Sequence, residues 1–304
     1  MLQFIRRLIQ IFVIALLIII PILSLYEILI ENFRLPMVQG RGWQQIFDFV
    51  DSAMRHFTED PVKIVKNIKG NIFWTITIYD FTLSDPLILV GHIFGSRAFY
   101  ISLLVSALPF IIITILFGRV FCGWICPMDL LLELNNKIRR LLYKIGLRPY
   151  NIIFSRSHKY ALLFVGSILT FLLGVQLFAF IYPPAIINRE AVHYIYYGSV
   201  GMGVVAIAAI MLIEVSLSER LWCRYFCPGG GLYSVLGTGR LVTIVRDKNL
   251  CDDCADCNKA CEFAFNPMRD KFGMECNNCG KCISVCEKKG LSFKFSLPWR
   301  RTKT

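Results

Sequence analysis

The chain is poor in charge and in histidine. Only 18% of its 304 residues are charged, and only four are histidines. Together with 56% hydrophobic residues, this low charge excludes an ordinary soluble domain and favours a membrane protein. No histidine lies inside an apolar run opposite another, and the haem-attachment pattern C-x-x-C-H is absent, which argues against haem.

Acidic residues are also scarce. The chain has 21 Asp and Glu against 33 Lys and Arg, which gives a formal net charge of +12. Such a balance is typical of nucleic-acid binding, of an anionic membrane surface or of positively charged cytoplasmic loops. Long apolar runs favour the last two, so we expect no nucleic-acid partner.

A transmembrane helix requires roughly 20 apolar residues, and four stretches qualify as predicted spans. They are Leu8–Leu25, Ala98–Phe117, Tyr160–Ile181 and Tyr197–Leu217. Lys and Arg concentrate in loop 118–159, with eight, and after Leu217, with fifteen, whereas loop 182–196 has one. The positive-inside rule therefore predicts a multi-pass protein of the bacterial inner membrane with both termini in the cytoplasm.

These spans divide the chain into five segments. Residues 1–30 form an uncleaved anchor helix, 31–97 a periplasmic segment, and 98–159 the second span with a basic cytoplasmic loop. Residues 160–217 contain the third and fourth spans, and 218–304 the cytoplasmic tail. The predicted fold is an α-helical membrane protein with two repeated hairpins and a C-terminal α+β ferredoxin domain.

Two amphipathic helices are predicted outside the spans. The first has an apolar face at Trp43, Ile46, Phe47, Val50, Met54 and Phe57, and the second at Leu131, Ile138, Leu142 and Ile145. Each apolar face either lies on the membrane surface or packs against the protein's own spans. The pattern leaves both alternatives open.

Eight of the twelve cysteines lie between residues 251 and 286, in two runs of C-x2-C-x2-C-x3-C. This is the spacing of bacterial two-cluster ferredoxins, in which the fourth cysteine of each run ligates the other cluster. One 4Fe–4S cluster is thus predicted at Cys251, Cys254, Cys257 and Cys286, and the other at Cys276, Cys279, Cys282 and Cys261. Zinc suits a single C-x2-C pair better than two complete runs.

The proline that usually follows the fourth cysteine of such runs is replaced by Glu262 and Glu287. We expect both glutamates to be solvated.

The other four cysteines belong to a repeated C-x3-C-P motif, "GRVFCGWICP" at 118–127 and "ERLWCRYFCP" at 219–228. Cys122 and Cys126 match Cys223 and Cys227, and Arg119 matches Arg220. Cysteines four residues apart share one face of a helix. Three roles remain open for them: redox disulfides, joint ligation of a metal or further cluster, and packing.

Four spans, paired C-x3-C-P motifs and a two-cluster tail resemble the NapH/MauN group of quinol dehydrogenase membrane subunits, which is related to NosR. "KGN" at 69–71 and "LSDPLILV" at 83–90 also resemble that group. The resemblance implies that menaquinol or ubiquinol is oxidised. Electrons then pass to an iron–sulfur partner of NapG type and to a periplasmic cytochrome or reductase for nitrate or nitrous oxide. Whether the chain is itself an enzyme or acts only within a complex stays open.

Quinol oxidation needs a proton acceptor near a span and a group that holds the quinone oxygen. Asp85 and His193, both expected on the outer side, and Arg119 and Arg220 on the inner side are the candidates. Alternative functions are a maturation factor that reduces a metal or thiol target, and a scaffold for a partner iron–sulfur protein.

Overall fold

The computed structural model describes residues 1–31, 44–58, 65, 68–71, 75–79, 81–269 and 272–295. The chain begins with helix α1 (Leu2–Glu31) and helix α2 (Gln44–Phe57). A three-stranded antiparallel sheet follows, with β1 (Ile68–Asn71), β2 (Thr75–Ile78) and β3 (Phe81–Ser84) in that order.

Most of the remaining chain is helical. The helices are α3 (Pro86–Ser96), α4 (Ile101–Phe117), α5 (Pro127–Lys144), α6 (His158–Leu173), α7 (Phe178–Ile181), α8 (Pro183–Tyr197), α9 (Met202–Leu217) and α10 (Pro228–Leu236). The tail contains β4 (Val242–Arg246), α11 (Asp256–Ala260), α12 (Lys281–Ser284) and β5 (Leu291–Phe295). Strands β4 and β5 pair antiparallel, so the two ends of the tail meet.

Among the described residues, one stretch is long and apolar enough to cross a membrane, Leu2–Glu27 within α1. Helices α3, α4, α6 and α9 are apolar but shorter. The predicted span Tyr160–Ile181 is interrupted, because α6 ends at Gly174, whose φ of 67° is in the left-handed region. The chain then turns back, and Phe178 packs between Gly91 and Gly166.

The two amphipathic segments behave differently. Helix α2 packs Val50 and Met54 against Leu25 and Tyr26 of α1, as the packing alternative predicts. Helix α5 buries Met128 and Leu132 together with many polar side chains. Its buried face carries the polar side chains of Asp129, Glu133, Asn135, Asn136 and Arg139, while Leu134, Ile138, Leu141 and Ile145 are exposed.

Arg139 explains part of this polar burial. Its guanidinium donates to the carbonyl oxygens of Glu214 and Val215 at the end of α9, at 2.8 and 2.7 Å, and to that of Tyr150 at 2.8 Å. A helix end leaves its last carbonyls without partners, and a cation there satisfies them. Polar side chains of α5 thus bind α9 beside the apolar contact of Met128 and Leu132 with Ile210, while Leu134, Ile138 and Leu141 remain exposed.

Candidate metal centre

Both C-x3-C-P motifs fold in the same way. Each forms a single π-helical turn, Phe121–Ile125 and Trp222–Phe226, which ends at the second cysteine in an extended conformation. The N–H of Cys126 donates to the carbonyl of Phe121 at 2.9 Å, and that of Cys227 to Trp222 at 2.8 Å. The following proline disfavours helix at the second cysteine and begins the next helix instead. The sequence predicts an ordinary helical face here, whereas the structure has a π-turn, a feature frequent at functional sites.

The four motif thiols come together between the two repeats. Cys122 and Cys126 pack against the apolar cluster that contains Cys227, and Cys126 and Cys223 pack together against Met128. The N–H of Gly230 donates to Sγ of Cys227 at 3.3 Å. The cysteine pair of the first repeat and the matching pair, 101 residues later in the chain, thus contribute to one group of thiols.

Burial governs the chemistry of these thiols. It raises the pKa of all four, to about 12 for Cys227, even though the Arg119 guanidinium lies next to Cys122. A reactive cysteine needs a lowered pKa, because the thiolate is the nucleophile. The raised pKa disfavours the thiolate form of these thiols, which argues against a thiol-exchange site. A metal bound here would have to displace the thiol protons.

The tail cysteines line two separate cavities. Cys261, Cys276, Cys279 and Cys282 line one, and Cys251, Cys254, Cys257 and Cys286 line the other. These are the crossed sets that the spacing predicts. In the part of the chain that the structure describes, no three His, Cys, Asp or Glu side chains are arranged to hold a single metal ion. Four soft thiolates around one cavity fit a 4Fe–4S cluster, in which each thiolate binds a different iron.

One salt bridge fastens the first motif to the tail. Arg119, fully buried, donates to the Glu275 carboxylate at 2.8 Å and to its carbonyl oxygen at 3.1 Å. Lys159 and Tyr160 of α6 bind the same carboxylate. The indole of Trp124 donates to the carbonyl of Asn278 at 3.1 Å. Because Glu275 precedes Cys276, this contact holds the motif against the cavity of the second ligand set.

A second salt bridge fastens the second motif to the same cavity. Arg220 donates to Glu262 at 2.5 and 2.8 Å and to Asp129 at 2.6 Å. Lys281 also binds Glu262, and Arg6 of α1 binds Glu133 of α5. Burial opposes ionisation of Glu262, but Arg220 and Lys281 outweigh it and lower its pKa to about 2.

The prediction that both glutamates are solvated is wrong for Glu262, which is 8% exposed, because the matching arginine of the repeat reaches it. Glu287 is exposed as expected.

The four residues predicted to bind quinol do not form one site. Arg119 and Arg220 are occupied by the glutamates of the tail. Asp85 is fully buried, accepts hydrogen bonds from the hydroxyls of Tyr182 and Tyr233 at 2.9 and 3.0 Å, and caps α3 through the N–H of Leu87.

Asp85 therefore lies beside the second motif's helix α10, although its segment was expected on the outer side. His193 lies near the other end of α8, where its Nδ1 is 2.9 Å from the carbonyl oxygen of Ser199.

Sequence reasoning missed the charged groups that join the motifs to the tail. Glu275, Lys159, Asp129 and Glu133 carry no motif, and each is ordinary in its local context. One signal was present: Asp129 and Glu133 are one helical turn apart on the helix that follows the first motif, so their carboxylates share a face. The tertiary structure shows what that face binds, which is Arg220 of the other repeat and Arg6 of α1.

Comparison with known proteins points to the same two motifs. A family model described as "4Fe-4S binding domain" matches residues 99–145 and 199–243, which contain the C-x3-C-P repeats. The ferredoxin-type protein NapH of Haemophilus influenzae is 30% identical over 266 residues, covering 84% of this chain and 88% of that protein.

Two further relatives extend this comparison. NapH of Escherichia coli is 28% identical, covering 73% of this chain and 78% of that protein. The methylamine utilization ferredoxin-type protein MauN of Methylorubrum extorquens is 27% identical, covering 69% and 70%. No solved structure matches the chain.

Proposed function

The chain belongs to the NapH and MauN family of ferredoxin-type iron–sulfur proteins, and on that basis we propose that it is the membrane subunit that oxidises quinol and passes electrons to an iron–sulfur partner. The observation that carries this proposal is the arrangement of its thiols. The segments that carry the four motif cysteines are joined to residues beside one tail cavity, through Arg119–Glu275 and Arg220–Glu262. The second tail cavity adjoins the first, because Cys257 packs in one cluster with Cys276 and Cys282.

Each of the three groups offers four thiolates. Cys251, Cys254, Cys257 and Cys286 would hold one 4Fe–4S cluster, and Cys261, Cys276, Cys279 and Cys282 the other. Cys122, Cys126, Cys223 and Cys227 would hold a third iron–sulfur centre. Such clusters accept and donate one electron at a time. The chain's own residues fix their spacing, because each matching arginine clamps a glutamate next to a cysteine of the middle group.

The electron balance is simple. Oxidation of one quinol to quinone releases two electrons and two protons. Centres held by the three thiol groups would take up these electrons one at a time. The final acceptor would be an external protein of the iron–sulfur class, such as a NapG-type subunit, and then a periplasmic cytochrome or reductase. The protons pass to solvent.

The exposed side chains support a position in the membrane. Ile112 of α4, Phe164 of α6 and Leu212 of α9 are 51%, 68% and 70% exposed, and such apolar surface is stable against lipid rather than water. The N-terminus of α1 contacts the tail, since Gln3 donates to the carbonyl of Cys279 at 3.0 Å. Both therefore belong on one side, and the Lys and Arg distribution favours the cytoplasm.

The proposal is tested on the full-length protein in detergent, with iron–sulfur clusters intact. Menadiol, a soluble menaquinol analogue, is added anaerobically, and electron paramagnetic resonance follows cluster reduction, with dithionite as the control reductant. We expect menadiol to reduce at least one centre. Reduction by dithionite but by no quinol would overturn quinol oxidation and favour the maturation or scaffold alternatives.

A further inference from the structure

A large cavity of about 630 Å³ lies along α1, outside the three thiol groups. Its walls come from α1, the β-sheet, α4, the first motif and α8. Small-molecule sites in proteins typically enclose about 300–1,000 Å³ and are mostly apolar with a few polar groups. The cavity therefore has the size of a ligand site, and its neighbours indicate which ligand.

One end of the cavity reaches the first motif. Ile125, which lies between Cys122 and Cys126 on the way to the proline, lines it. Ile9 lines the same end, and its neighbour Gln10 donates to the carbonyl of Gly123 at 3.3 Å. A molecule bound at this end is therefore in contact with the turn that carries two of the four motif thiols.

Two polar side chains also belong to this end. Thr75 lines the cavity and pairs with Ser84, the residue before buried Asp85. Asn188 of α8 lines it less than two helical turns after Tyr182, which binds Asp85. A hydroxyl and an amide can donate to or accept from the oxygens of a quinone or quinol.

The rest of the wall is long and mostly apolar, with Ser24, Tyr196 and Tyr197 as its polar members. Along α1 it continues from Ile9 through Val13, Leu17 and Ile20 to Ser24, and fifteen helical steps of about 1.5 Å each span roughly 22 Å. This combination of a polar end and a long apolar channel matches a ring with two oxygens and an isoprenoid tail.

We propose that this cavity is the quinol site, with the ring at Ile125, Thr75 and Asn188 and the isoprenoid tail along α1 toward Ser24. The inference rests on the proposed function and assigns its substrate a place. It moves the quinol away from Arg119, Arg220 and His193. A centre held by the motif thiols, and not one held by the tail, would then be nearest to the quinol.

The test separates binding from turnover. Binding of heptyl-hydroxyquinoline N-oxide, a fluorescent quinol analogue, is measured by quenching on the full-length protein, and menadiol reduction of the clusters is measured in parallel. In Leu17→Trp, an indole fills the middle of the cavity. We expect at least a ten-fold loss of affinity and of menadiol reduction rate, with dithionite reduction unchanged. Leu212→Trp, on an exposed face of α9, is the matched control.

A second pair of variants places the ring and does not depend on a bulky substitution. Asn188→Leu removes the amide near the motif, and Ser24→Ala removes a hydroxyl at the other end of the cavity. The Ser24 hydroxyl is buried and has no hydrogen-bond partner among the described residues. We expect the affinity loss from Asn188→Leu to exceed that from Ser24→Ala at least five-fold. The opposite order would overturn the placement of the ring.

The outcomes also distinguish the site from the function. If menadiol reduces the clusters of the wild type and still does so in Leu17→Trp and Asn188→Leu, the cavity is not the quinol site, although the protein does oxidise quinol. Analogue binding that is lost in these variants, with no menadiol reduction in the wild type, would support the cavity and overturn the function. If the analogue does not bind to the wild type, the assignment of the cavity as the quinol site is wrong.

Discussion

The two C-x3-C-P repeats have the same backbone and different surroundings. Arg119 of the first repeat shares Glu275 with Lys159, a second cation. Arg220 of the second repeat lies among three carboxylates, Asp129, Glu133 and Glu262. The comparison teaches that the repeat builds the thiol group, whereas the residues around each copy decide how that copy is held to the tail.

The residue after the first cysteine of each motif also differs between the repeats. Gly123 of the first motif corresponds to Arg224 of the second. A Cβ on Gly123 would lie 3.0 Å from the backbone oxygen of Asn277, so the tail approaches this turn too closely for a side chain. Arg224 instead donates to the carbonyl of Glu219 at 3.0 Å within its own repeat. The first motif is thus the one in direct backbone contact with the tail.

The largest expected effect is on the motif thiols that both repeats share. Replacing Cys126 with Ser should destabilise the third centre, and iron per chain should fall from about twelve toward about eight atoms, because the centre loses one of its four thiolate ligands. Iron analysis and electron paramagnetic resonance measure this. Cys254→Ser, in the tail, should lose a different signal. Full iron and unchanged signals in Cys126→Ser would mean that the motif cysteines serve packing.

The next largest effect is a difference in stability between variants of the two matching arginines. Arg220→Gln should destabilise the protein by about 3–5 kcal/mol, because it leaves buried carboxylates without their cation. Arg119→Gln should cost clearly less, since Lys159 still pairs with Glu275. Thermal unfolding of the purified chain gives the comparison. Equal losses would show that the surrounding charges do not distinguish the repeats.

A smaller effect concerns the close approach at Gly123. Gly123→Ala should loosen the tail and increase its cleavage by protease several-fold, because the new methyl group lies against the Asn277 backbone. Gly239→Ala is the control, since a Cβ there meets nothing within 4 Å. Limited proteolysis followed by mass spectrometry locates the cut. Identical cleavage in both variants would contradict a tight contact at this turn.

The smallest effect is at Asp85. Tyr233→Phe and Tyr182→Phe each remove one hydrogen bond to the same carboxylate oxygen and should each cost about 1 kcal/mol. Because both tyrosines bind one acceptor, the double variant should deviate from additivity. A double-mutant cycle in thermal unfolding measures this, and strict additivity would show that the two bonds act independently.

The tail was largely predictable because its ligand spacing is local. The first three cysteines of each run are three residues apart and are expected to face a common centre, and the crossed fourth cysteine follows from the same pattern. The repeat was also visible, since its cysteines, arginines and prolines recur at a constant offset of 101 residues. The buried role of Glu262 was not predictable, because its partner Arg220 is 42 residues away.

The sequence by itself determined the local chemistry of this protein: two four-cysteine runs, a repeated cysteine pair, long apolar stretches and an excess of Lys and Arg. Those properties follow from residue type and from short spacing. The tertiary structure alone decided that both motif arginines hold the same tail cavity, that α5 buries polar side chains, and that a long apolar cavity ends at Ile125. Each depends on contacts between residues far apart in the chain, which burial and charge pairing select only when the helices have packed.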